Sequence, residues 1–167
     1  MAVVKGEKEK MRVGIGYDVH PLTPERPLVL GGVKVPFGRG LWGHSDADVL
    51  VHAIIDALLG AAALRDIGTH FPDTDPQYKD ISSITLLQRV GDMLHKAGFR
   101  IENIDATIIA EEPKLATYID EMRRNIGDAL GITREQVSVK ASTSAGLGAV
   151  GRGEGMAAYA VAMVESK

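Results

Sequence analysis

Gly43-His44-Ser45-Asp46-Ala47-Asp48-Val49-Leu50-Val51-His52-Ala53-Ile54-Ile55-Asp56 decides how this chain reads. The apolar positions predict a helix over 46–63, with Ser45 or Asp46 as its N-cap. Yet the segment carries two histidines, three aspartates and a serine. A buried helix has no packing reason to hold such groups, because each costs free energy unless it is paired or bound. Asp48, His52 and Asp56 are spaced four apart and therefore share one face. Upstream, Tyr17-Asp18-Val19-His20 sets a carboxylate and an imidazole two apart, on the same side of a strand. Asp18, His20 and His52 are thus a candidate metal-ligand set that leaves a coordination position open. Asp48 and Asp56 would then orient the imidazole of His52 from one turn either side. Spacing alone also fits a polar turn after a strand and a satisfied core histidine.

Outward from this helix, alternation of Val13, Ile15 and Tyr17 predicts a strand over 12–17. Leu28–Leu30 and Val33–Val35 flank Gly31-Gly32, a hairpin signal. Residues 64–79 are rich in Asp, Pro and Gly without a period, so they form a long loop, and long ordered loops tend to be functional. Ser82 or Ser83 caps a second helix to about Ala97, closed by Gly98. A strand runs through residues 105–109, and Pro113 opens a third helix that stops at Gly131. A helical turn over 133–136 and strands over 137–142 and 156–164 complete the chain. The fold class is α+β: a mixed antiparallel and parallel sheet, three main helices on one face, and an early β-hairpin.

The chain has 167 residues, enough for one domain that buries roughly 70% of its unfolded surface. The expected organisation is a charged N-terminal tail over 1–10 and a single catalytic domain over 11–167. A net charge of -3 argues against nucleic acid as partner, while leaving room for a small phosphorylated ligand. There is no cysteine, so disulfides and thiolate metal sites are excluded and any ion must be held by nitrogen and oxygen. That composition fits a reducing cytoplasm. The N-terminal stretch has no apolar run of signal-peptide length and no segment approaches membrane-span length, so no membrane partner is expected.

Several segments look built around a polar ligand. Gly40-Leu41-Trp42-Gly43-His44-Ser45 leads into a helix N-terminus, a natural anion site. Arg65-Asp66-Ile67-Gly68 and Phe71-Pro72-Asp73-Thr74-Asp75-Pro76 form an acidic, turn-rich loop. Ala110-Glu111-Glu112-Pro113-Lys114 ends a strand and offers backbone N–H groups. Lys140-Ala141-Ser142-Thr143-Ser144-Ala145-Gly146-Leu147-Gly148 is rich in hydroxyls, and Gly151-Arg152-Gly153-Glu154-Gly155 sets an arginine among glycines. Each alone fits an ordinary cap or turn; their number favours a ligand.

The run Gly14-Ile15-Gly16-Tyr17-Asp18-Val19-His20 resembles the opening of the 2-C-methyl-D-erythritol 2,4-cyclodiphosphate synthase family. So do Gly43-His44-Ser45-Asp46-Ala47-Asp48, Asp56-Ala57-Leu58-Leu59-Gly60-Ala61, Asp66-Ile67-Gly68, the 71–76 loop, Pro113-Lys114 and the 151–155 glycine run, in one order from about Arg12 to Val164. The resemblance implies a chorismate-mutase-like, trimer-forming layer fold with active sites between subunits. It implies cyclisation of 4-diphosphocytidyl-2-C-methyl-D-erythritol 2-phosphate, with release of CMP, in the non-mevalonate route to isoprenoids. Asp18, His20 and His52 would bind zinc, Asp18 and His20 also bordering the substrate. A second ion, magnesium or manganese, would bridge the phosphates.

By the same resemblance, His44 and Ser45 would hold the phosphates or the methylerythritol part, with His44 stabilising the transition state. Asp66 and Gly68 would contact the ribose. Phe71, Asp73 and Asp75 would line the methylerythritol side. Ala110, Pro113, Lys114, Leu115 and Ala116 would cradle the cytosine, largely through backbone groups. Thr143, flanked by Ser142 and Ser144, would stabilise the transition state from the other side. Arg152 would face the trimer axis, where members can hold an isoprenoid diphosphate. The chain departs from the family pattern at three positions: Ala145 stands where many members carry a glutamate that holds the second ion, Ala149 where an aromatic often follows Leu-Gly, and Arg65 where a glycine is usual. Two other functions share the features: a metal-dependent nucleotide-diphosphate phosphohydrolase, and a non-catalytic trimer that binds isoprenoid diphosphates.

Overall fold

A computed structural model describes residues 10–166, so the expected tail lies, apart from Lys10, outside the described residues. In chain order the elements are β1 (Lys10–Thr23), β2 (Leu28–Leu30), β3 (Val33–Val35), β4 (Gly40–Leu41), α1 (Val49–Ala61), α2 (Ile67–His70), α3 (Ser83–Lys96), β5 (Phe99–Ile109), α4 (Ile119–Leu130), β6 (Val137–Ser142), α5 (Gly148–Gly151) and β7 (Gly155–Ser166). The main sheet has the order β4-β1-β7-β5-β6, and β2 and β3 form a separate hairpin. β1 and β5 both run antiparallel to β7, and β5 runs parallel to β6. The α+β expectation, with its mixed sheet and early hairpin, matches this architecture.

The placing of α1 follows from small residues. In β1, Gly14 and Gly16 face the helix, while Val13, Ile15, Tyr17 and Val19 face away and stay exposed. A Cβ on Gly14 would lie 2.1 Å from the Ala57 carbonyl oxygen, and one on Gly16 would lie 1.8 Å from that of Ala53. Only glycine allows the helix backbone so close. Beside them Ala158, Ala160 and Ala162 of β7 present equally short side chains, all buried. Continuing the period of two, Asp18 and His20 follow Gly14 and Gly16 on the helix side. The close approach of α1 therefore brings His52 to them.

The element boundaries differ from the sequence expectation at two helices. α1 starts at Val49, not at 46, and its N-cap is Asp48, whose carboxylate accepts from Val51 N. Ala47 has φ 55, a left-handed conformation that a helix cannot include. The third helix starts at Ile119 after a single 3-10 turn (Ala116–Tyr118), well past Pro113. Glu111 accepts from Ser144 N at 2.6 Å, which ties the stretch after β5 to the end of β6 rather than letting it coil. The long loop contains short helical turns, with Asp66 and Asp75 as their caps.

Candidate active site

Asp18, His20 and His52 meet at the junction of β1 and α1, with ligand atoms all within 4.8 Å of one another. His20 Nε2 lies 2.8 Å and His52 Nδ1 3.0 Å from Asp18 Oδ2, and the two ring nitrogens are 3.2 Å apart. Burial pushes the Asp18 carboxyl up, but hydrogen bonds from both imidazoles outweigh it and hold the group well below the usual carboxylate range. Burial pulls His20 down, and the bond to Asp18 overrides it, so its pKa is raised.

The donor set fits a zinc-type ion. Two nitrogens and one oxygen, without thiolate, make three corners of a tetrahedron whose edges at such bond lengths are about 3.3 Å. The remaining ring nitrogens are both anchored, which leaves the facing ones free to ligate. His20 Nδ1 lies 2.9 Å from the Trp42 carbonyl oxygen, which can only accept. His52 Nε2 lies 2.9 Å from Ser83 Oγ and 3.1 Å from Ser45 Oγ. Asp48 and Asp56 do not orient His52 as the helix face predicts. Asp48 accepts from Gly31 N, Gly32 N and Val51 N at 3.0, 2.8 and 3.1 Å, and Asp56 accepts from Ile67 N at 2.8 Å. The spacing on the helix is as read, but nearby loops supply stronger claims on both carboxylates.

Through His20 and His52 the cluster borders a cavity of about 1050 Å³ whose lining also includes His44, Ser45, Gly68, Phe71 and Asp73, with Asp18 outside the lining. Asp66 and Asp75 do not line it; each carboxylate caps a turn, accepting from Thr69 N and Gln77 N respectively. Ala110, Pro113, Lys114, Leu115, Ala116, Ser142, Thr143, Ser144 and Arg152 are also absent from its lining. Ala110 and Ser142 sit together at the ends of β5 and β6, where Ala110 N donates to Ser142 O at 2.9 Å. Leu115 is buried in the core. Arg152 pairs with Glu154 at 2.6 Å and borders a second hollow of about 220 Å³ with Arg39, Glu111 and Glu112. Within one chain the expected site residues therefore fall into two separate groups.

Residues 11–165 match the YgbB family. The chain belongs to that family. It is 61% identical over 156 residues to the 2-C-methyl-D-erythritol 2,4-cyclodiphosphate synthase of Lachnospira eligens, covering 93% of this chain and 85% of that one. Among solved structures, the bifunctional IspDF of Campylobacter jejuni superposes with a TM-score of 0.92 at 40% identity, over 96% of this chain and 43% of that larger protein. IspF of Plasmodium falciparum, solved as a CDP complex, gives a TM-score of 0.82 at 33% identity, over 94% of this chain and 97% of that one.

Within this YgbB chain, two site residues escape sequence reasoning. Arg26 lines the cavity and donates to the carbonyl oxygens of Gly43 and Ser45, with Asp80 3.7 Å away. It thereby fixes the backbone on either side of His44. Its setting, Pro24-Glu25-Arg26-Pro27, looks like any exposed turn. Ser83 reads as a helix cap, and nothing in its neighbours announces a contact with residue 52.

Proposed function

We propose that this chain cyclises 4-diphosphocytidyl-2-C-methyl-D-erythritol 2-phosphate to 2-C-methyl-D-erythritol 2,4-cyclodiphosphate and releases CMP, as a phosphorus–oxygen lyase of isoprenoid biosynthesis. The observation that carries the reading is the Asp18–His20–His52 cluster at the edge of the cavity, in a chain so similar to a synthase of that name. The 2-phosphate oxygen of the substrate attacks the β-phosphorus, the bond from that phosphorus to the α-phosphate bridge breaks, and CMP leaves with the electron pair. The attacking group is already an anion, so the protein needs no nucleophile of its own; its work is positioning and charge neutralisation.

Asp18 Oδ2, His20 Nε2 and His52 Nδ1 would hold zinc. When bound, the ion supplies a Lewis acid that polarises a phosphoryl oxygen. His44 and Ser45, fixed by Arg26, face the cavity where charge develops on the β-phosphate. Phe71 and Asp73 close the side assigned to the methylerythritol unit. Ala145 offers no donor, so no step is assigned to a second magnesium or manganese ion.

The cytosine cradle at 110–116 and the phosphate contacts at 142–144 belong, in this reading, to the site of a neighbouring subunit. Two features support a homotrimer: the half-sites do not share a cavity within one chain, and the open face of the sheet carries exposed Val13, Ile15, Tyr17, Tyr159 and Val161. The catalytic unit spans 11–167, and a cytoplasmic setting goes with it; no helix among the described residues is long and apolar enough to cross a membrane. Phosphorus NMR of a reaction with authentic substrate, zinc and magnesium in 18O-water tests the activity. A ring diphosphate without solvent oxygen is expected. Open-chain phosphates labelled from water would establish a phosphohydrolase instead, and no CMP would leave only a binding protein.

A further inference from the structure

We propose that Ser83, polarised by Asp46, is a positioning residue that fixes the ring of His52 with Nδ1 turned toward Asp18 and His20. The inference rests on the reading of those three side chains as a metal site. Ser83 is fully buried on the first turn of α3, and it is absent from the cavity lining, so it can act only through a neighbour. Its hydroxyl has one proton, and that proton goes to Asp46 Oδ1, in a short contact. Toward His52 Nε2, 2.9 Å away, the Ser83 oxygen can therefore only accept. When an ion takes the place of the proton shared with Asp18, the hydrogen left on the ring sits on Nε2, and Nδ1 turns its lone pair to the space shared with Asp18 Oδ2 at 3.0 Å and His20 Nε2 at 3.2 Å.

Asp46 is itself held on both sides. Its Oδ2 accepts from Ser83 N at 3.0 Å, and its Oδ1 accepts from Asp48 N at 3.2 Å. The carboxylate thus joins the N-cap of α1 to the first turn of α3, where Ser82 makes no capping bond of its own. A negative charge at that helix end is favourable. The chain Asp46–Ser83–His52 couples the packing of two helices to the direction of one ring nitrogen. His20 has the counterpart anchor in the Trp42 carbonyl.

The test uses full-length protein loaded with zinc. Chelator competition gives the zinc affinity of wild type, Ser83→Ala and Ser83→Thr, and NMR of 15N-histidine-labelled protein reads the His52 Nε2–H and its exchange with water. Ser83→Ala is expected to bind zinc about 10- to 100-fold more weakly, the range for lost outer-sphere partners of ligating histidines, and to lose the slowly exchanging N–H. Ser83→Thr keeps the hydroxyl and is expected to stay near wild type. Unchanged zinc affinity in Ser83→Ala overturns the positioning role and leaves the metal reading intact. Wild-type protein that takes up no zinc contradicts the metal reading and the positioning role together. If Ser83→Ala does not fold, the wild-type resonance decides: an Nε2–H exchanging at the solvent rate overturns the proposal.

Discussion

Asp48 has no exposed surface, and its carboxylate accepts three backbone N–H groups from two elements, the β2–β3 turn and the start of α1. Removing it strands those donors in the interior. Asp48→Ala should therefore cost at least about 3 kcal/mol in denaturant unfolding. Burial and the nearby Asp46 charge push its pKa up to about 6, against the pull of the three donors. In the unfolded chain the group titrates near 3.8. The native state consequently holds the extra proton between those values, and this group's contribution to stability falls as pH rises from about 4 to about 6. Asp48→Asn should flatten that part of the stability–pH curve, and an unchanged slope would contradict the assignment. Residue-scale legibility was uneven for a physical reason. Asp18 and His20 were readable because a strand repeats every two residues. The claim of Gly31-Gly32 on Asp48 was not, since nothing local says which distant backbone will reach a helix cap.

At the scale of elements, the contact between β1 and α1 brings together the three side chains that could hold a metal ion. Glycines at 14 and 16 remove the spacer that would otherwise separate the strand from Ala53 and Ala57. In Gly16→Ala the new methyl would meet the Ala53 carbonyl at 1.8 Å, and backbone cannot swing aside. We expect a loss of at least about 3 kcal/mol by thermal or denaturant unfolding, at the upper end of overpacking effects, together with weaker zinc binding as α1 is displaced. Zinc affinity equal to wild type would separate the helix position from the site. The body of each long strand, the glycine hairpin and the body of each long helix were legible from period and punctuation, whereas the two-residue β4 was not. Helix starts were less so: α1 waits for the left-handed Ala47, and α4 waits until the 110–115 stretch has been held at β6 by Glu111.

For the whole molecule, the question is what covers the open face of the sheet. Ile15 is 71% exposed on that face, and Tyr17 packs against Tyr159 in a tilted pair with ring centroids 4.9 Å apart. A trimer that buries this face would not tolerate an unpaired carboxylate there. Ile15→Glu is expected to run as a monomer in light scattering and to lose about 100-fold or more of the cyclising activity, because each cavity would lack its cytosine cradle. A fully active monomer would show that one chain suffices. The separation of the expected site residues into two groups was invisible in the sequence, where the motifs follow one another without any sign of which lie together. The proposed chemistry depends on one cation at the β1–α1 junction. Anomalous scattering at the zinc edge, from crystals grown with zinc and CDP, tests it most directly. We predict a peak about 2.0–2.2 Å from Asp18 Oδ2, His20 Nε2 and His52 Nδ1, absent from His52→Ala crystals of the same fold. A zinc-edge map with no peak among those three atoms would contradict it.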